Sequence, residues 1–63
     1  MVKIHDDDVI TAARQLVARR GQAARQEATE RAAEFARQAR WPEHAVAARV
    51  LTAVEDLLDE KLS

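Results

Sequence analysis

The chain has 63 residues, no cysteine, one glycine, one proline and a formal net charge of −1. A domain this short buries only about 60% of the surface its unfolded chain exposes, and with no disulfide and no cluster at metal-ligand spacing, the remaining staple is another chain. No basic excess supports phosphate neutralisation, no apolar run nears the roughly 18–20 residues that span a bilayer, and no signal-peptide pattern opens the sequence, so the expected address is the cytoplasm.

The apolar content is 48%, with alanine and aliphatic residues dominating and tyrosine absent. Nothing alternates with period two over a useful length, so the composition is helical. The charge is unevenly spread. Residues 9–42 carry seven arginines against three glutamates, while the last third is acidic through Glu43, Glu55, Asp56, Asp59 and Glu60.

A lead-in over 1–5 precedes Asp6-Asp7-Asp8, whose carboxylates suit the positive end of a helix. Ile4 can fold back on Val9 or Ile10 as a hydrophobic staple. A metal site at His5–Asp8 is not expected, because adjacent residues at a helix start point in different directions. Helix 1 is predicted over about 7–20, with Val9, Ile10, Ala12, Ala13, Leu16 and Val17 on one arc. Arg19 and Arg20 favour the negative end of the dipole, and Gly21 is expected at C′ in a left-handed conformation.

Helix 2 is predicted over about 22–40. Its apolar stripe is Ala24, Ala28, Ala32, Phe35 and Ala39, with Phe35 filling the space between the other two helices. Glu27–Arg31 and Glu34–Arg37 are spaced to pair along the surface, each worth a few tenths of a kcal/mol. Arg19-Arg20-Gly21 suggests the turn of a DNA-binding helix-turn-helix. That motif wants an apolar residue about six positions after its glycine; Glu27 stands there.

Trp41-Pro42 ends helix 2, since the residue before proline avoids the α region and Pro42 suits a first helical turn; a continuous helix kinked at Pro42 is the alternative. Trp41 is expected to pack at the corner, and His44 reads as an exposed first-turn residue. Helix 3, about 43–61, supplies the bulk through Val46, Ala47, Val50, Ala53, Val54, Leu57 and Leu58. Leu51 and Leu62 widen its apolar arc toward 180°, more than the ~100° stripe that one core requires. Leu51, Leu58 and Leu62 are therefore candidates either for contact with a partner or for peripheral core that covers Trp41 or the N-terminal lead-in.

Catalysis needs a nucleophile, acid or base held in a pocket. The chain has no cysteine, tyrosine or glycine-rich phosphate loop, and both histidines fall at helix starts. A three-helix domain of this size is expected to lack room for the ~300 Å³ typical of a small ligand site. No enzyme, cofactor, metal or small-molecule substrate is expected.

The pattern AARQLVARRG, ARQEATERAAEFA, AARVLTAVEDLL resembles a group of short bacterial all-helical proteins. Their scheme is a helix, R/H-G, an alanine-rich helix with an R-A step (Arg31-Ala32 here) and a closing amphipathic helix. Such proteins often carry an aromatic near the start of the last helix, where this chain has Ala48, with Trp41 upstream. The resemblance covers about residues 9–58, implies a small cytoplasmic bacterial helical protein, and brings no activity with it.

The sequence thus predicts a single all-α domain over 1–63, a three-helix bundle with short connections that dimerisation could complete. The expected function is a non-catalytic protein–protein interaction module, acting either as a homodimer or as a small accessory or inhibitory subunit docking through helix 3. The alternative is a nucleic-acid-associated regulator using Arg14, Arg19, Arg20, Arg25 and Arg37 within the Arg-rich stretch 14–40. Interleaved glutamates cancel most of that field, and no membrane partner is expected.

Overall fold

A computed structural model describes the backbone of residues 6–62 and the side chains of residues 7–60. The lead-in 1–5 with the Ile4 staple, the Asp6 side chain and the Leu62 side chain lie outside the described residues. The element order is α1 (Asp6–Arg20), α2 (Ala23–Arg37) and α3 (Trp41–Leu62), with no strand among the described residues. The chain is an all-α three-helix bundle, measuring 36 × 24 × 17 Å.

Gly21 ends α1 as its position predicts. Its φ is +55°, and its N–H donates to Val17 O at 2.8 Å, the single 5→1 bond of a left-handed cap. Arg19 and Arg20 occupy the last turn before it. Two residues later α2 begins, with no side-chain cap at Gln22; the Ala24 N–H is instead satisfied by Gly21 O at 3.0 Å.

The second connection differs from the expectation. Helix α2 ends at Arg37, three residues short of the predicted end, and Ala39 adopts φ +56°. Ala39 N–H donates to Ala36 O at 3.0 Å and Arg40 N–H to Phe35 O at 2.9 Å, the paired bonds of a Schellman motif. Ala39 is thus a turn residue and not part of the buried stripe. Helix α3 begins with Trp41 and Pro42 already inside its first turn, where a missing N–H costs nothing. Arg40 O accepts its first bond, from His44 N–H at 2.9 Å. The connection is a turn, not a proline kink.

The core forms where α3 meets both partners. Val54 and Leu58 are buried against Ala13 and Val17 of α1 and Ala24 and Ala28 of α2. Val54 is the bulkiest fully buried side chain. Alanines at 0% exposure (Ala13 and Ala24) let the helices approach closely. Helix α3 packs extensively on both neighbours, whereas α1 and α2 touch each other only sparsely. The middle element is therefore α3, not α2, and serving two neighbours accounts for its broad apolar arc.

Candidate binding groove

Because α1 and α2 both lean on α3 without closing on each other, a groove remains between them. Its volume is about 890 Å³, within the ~300–1,000 Å³ range of ligand sites. The expectation that so small a domain has no room for a pocket is corrected by this splay. Val46, Ala47 and Val50 of α3 form the floor, Ala12 and Leu16 one wall, and Ala28 and Phe35 the other. Leu16, Phe35, Val46 and Val50 are all half-buried, so each has apolar surface left over after the fold is complete.

Phe35 corrects a second expectation. It does not fill the space between α1 and α3; it stands half-buried in the groove wall, with the Arg40 guanidinium 5.5 Å from its ring centroid. A cation over an aromatic face is attracted by the ring quadrupole. Arg40 is held there by Glu43 at 3.2 Å, and Glu43 is itself a groove residue.

At the other end the rim is basic. Arg19 and Arg20 rise from α1 and Arg31 from α2. Glu27 bridges the walls, 3.1 Å from Arg20 and 4.0 Å from Arg31. The position that spoils a helix-turn-helix therefore holds an acid that ties the two walls together. Among the described residues the lining contains no Ser, Thr, Cys, His or Tyr. Its chemistry is apolar contact plus charge.

The residues expected to meet a partner are placed differently. Leu58, read as an edge residue, is only 6% exposed and belongs to the core cluster, because α1 and α2 cover it from two sides. Leu51 is half-buried and packs against that cluster. Of the five arginines considered for nucleic acid, Arg20, Arg25 and Arg37 are each paired with a glutamate: Glu27 at 3.1 Å, Glu55 at 3.3 Å and Glu34 respectively. Arg14 and Arg19 are exposed.

His44 is not a free first-turn side chain. It is half-buried, and its Nδ1 lies 2.9 Å from Ala32 O. A carbonyl oxygen only accepts, so Nδ1 carries the proton and donates, tying α3 to α2. Trp41, expected to pack at the corner, is 59% exposed and meets the His44 ring edge-on at 5.8 Å. A second, polar hollow of about 300 Å³ lies between α2 and α3 beside the Arg25–Glu55 pair.

Glu34 accepts from Arg37 Nε at 2.9 Å and from Gln38 Nε2 at 3.3 Å. The Arg37 hydrogen bond and charge hold its carboxyl below the usual carboxylate value. No group of three or more His, Cys, Asp or Glu that could hold a metal occurs among the described residues, and no described helix is long and apolar enough to cross a membrane.

Leu16, Phe35, Val46 and Val50 were legible as apolar positions but not as a groove, since their leftover exposure depends on how far α1 and α2 splay. Comparison with family models, with curated proteins and with solved structures gives no match for this chain.

Proposed function

We propose that this chain is a non-catalytic interaction module of the cytoplasm that receives a helical segment of another protein in the groove between α1 and α2. It acts as a small accessory or inhibitory subunit, and α3 takes part as the groove floor. One observation carries the reading: Leu16, Phe35, Val46 and Val50 keep apolar surface around a groove of about 890 Å³ that nothing in the described chain fills. Helix-in-groove docking uses such a surface, with anchors at i, i+3 or i+4 and i+7 of the incoming helix. The nucleic-acid reading has less support, because three of its five arginines are already neutralised by glutamates.

The test is selection of helical peptides from a display library on the folded domain, followed by amide chemical-shift mapping. Shifts centred on Leu16, Phe35, Val46 and Val50 are expected. Peptides that map to α3 around Leu51 and not to the groove, or a library that yields no binder, would overturn the reading.

A further inference from the structure

Resting on that groove, we infer that its occupant is an acidic amphipathic helix of a different protein, about two turns of it seated between the walls. Length comes first. The groove runs from Ala12 to Arg20 on α1 and from Glu27 to Phe35 on α2. Eight residue steps at 1.5 Å make about 12 Å, or two turns of an incoming helix.

Charge decides the flanks. Each wall helix is charge-balanced along its length, three arginines against three acids in both α1 and α2, but the groove lining itself carries three arginines against two carboxylates, Glu27 and Glu43. Arg19, Arg20 and Arg31 sit on its rim. Glu27 already holds a carboxylate between Arg20 and Arg31, which marks the spot as one where a second carboxylate gains attraction from both walls. Glu27 also sets a limit on that attraction by partly satisfying the same two arginines. Complementary charge across an interface gives specificity and faster association, while like charge penalises the wrong partner. A basic helix would bring its cations against Arg19, which has no carboxylate within ion-pair distance among the described residues, and against Arg20 and Arg31, which share the single carboxylate of Glu27.

A second copy of this chain does not meet the requirement. Its own acidic helix, α3, exposes Glu55, Asp56, Asp59 and Glu60 while Val54 and Leu58 stay buried. A folded copy cannot offer those carboxylates together with the apolar face that the groove would hold.

The experiment uses the full chain and three labelled peptides of about three helical turns, sharing leucines at i, i+3 and i+7 but flanked by Glu, Gln or Lys. Binding is read by fluorescence anisotropy. At low salt the Glu peptide is expected to bind about tenfold or more tightly than the Lys peptide, with the Gln peptide between them. The gap should collapse at about 1 M salt, where the Debye length falls to about 3 Å. Arg19→Glu, an exposed change that leaves the fold intact, should weaken the Glu peptide and strengthen the Lys peptide. Glu27→Gln should tighten the Glu peptide by freeing Arg20 and Arg31.

Equal binding of all three peptides, or tightest binding of the Lys peptide, overturns the acidic assignment and leaves the groove standing as a helix site. Failure of all three to bind overturns the assignment and the helix-docking function together, as does saturable binding of dodecanoate when no peptide binds. A dimer in sedimentation that dissociates with Arg19→Glu overturns the choice of a foreign partner.

Discussion

Gly21 and Ala39 occupy the same place in the two successive turns of the bundle, and they adopt the same backbone conformation, φ +55° and φ +56°. Glycine takes that conformation without steric cost. For an L-residue it costs about 1–2 kcal/mol, because Cβ approaches the following carbonyl. The first turn is held by two backbone bonds, Gly21 N–H to Val17 O and Ala24 N–H to Gly21 O, with the Arg20–Glu27 pair beside it. The second turn is held by more: two Schellman bonds, the Arg40 guanidinium over Phe35, the Arg40–Glu43 pair and the His44 bond to Ala32. In a Schellman motif the residue after C′ often makes an apolar contact with the third residue from the helix end. Here Arg40 meets Phe35 at those two positions, so a cation–π contact takes that role. The lesson is that one turn is specified by its own residue and the other by its surroundings.

The largest expected effect is a control on that contrast. Val54→Ala empties the fully buried site shared by all three helices and should lower stability by about 2–3 kcal/mol in denaturant titration, from two lost methyl groups and the cavity they leave. A smaller loss would mean that the turns, and not the packing on α3, hold the bundle together.

The contrast itself is tested by exchanging residues. A Cβ built at Gly21 meets nothing within 4 Å, so Gly21→Ala carries only the backbone penalty and should cost about 1 kcal/mol. Ala39→Gly relieves the same strain and should add about 0.5 kcal/mol, the gain being trimmed by the greater freedom of glycine in the unfolded chain. For a domain of this size 1 kcal/mol moves Tm by about 4–8 °C, so thermal melts resolve both signs. An Ala39→Gly variant that loses stability would show that the strain at this turn is illusory.

The smallest effect is electrostatic and confined to the second turn. The Glu34 carboxyl is held below its usual value by Arg37. Its contribution is therefore complete above the unfolded-state carboxylate value and is lost as pH falls through the lowered folded-state value. Glu34→Gln removes that dependence. The melting difference between wild type and variant should be present at neutral pH and vanish in strong acid. A difference that persists there would assign the effect to something other than the Arg37 pair.

The same contrast explains what could be read from residues alone. Helix existence, the Gly21 stop and the apolar stripe Ala24, Ala28 and Ala32 follow from local chemistry, and all three alanines are buried. The end of α2 differs from the expectation because the residue type does not mark Ala39 as left-handed; the turn is framed by Arg40 against Phe35 and by the His44 bond to Ala32. Phe35 looked like core by its spacing, yet whether a stripe residue is buried depends on the neighbour that reaches it. Leu58 lies toward the edge of the apolar arc by spacing but is buried, because α1 and α2 both pack on α3. The groove belongs to the same class of fact: its walls are sequence features, but its width is a tertiary one.

That width has a mechanical meaning. With α1 and α2 each fastened to α3 and only sparsely to each other, the molecule is two helix pairs sharing one spine. Where the walls are tied across the groove, near the Gly21 turn, the tie is the Arg20–Glu27 pair, with side chains 61% and 33% exposed. A surface ion pair of this kind is worth about 1 kcal/mol or less. The width of the groove is therefore set less by that tie than by how each wall seats on α3, where Val54 packs against Ala13 and Val17 of one and Ala24 and Ala28 of the other. A substitution that reshapes the packing on α3 should thus change the groove as much as one made in its walls.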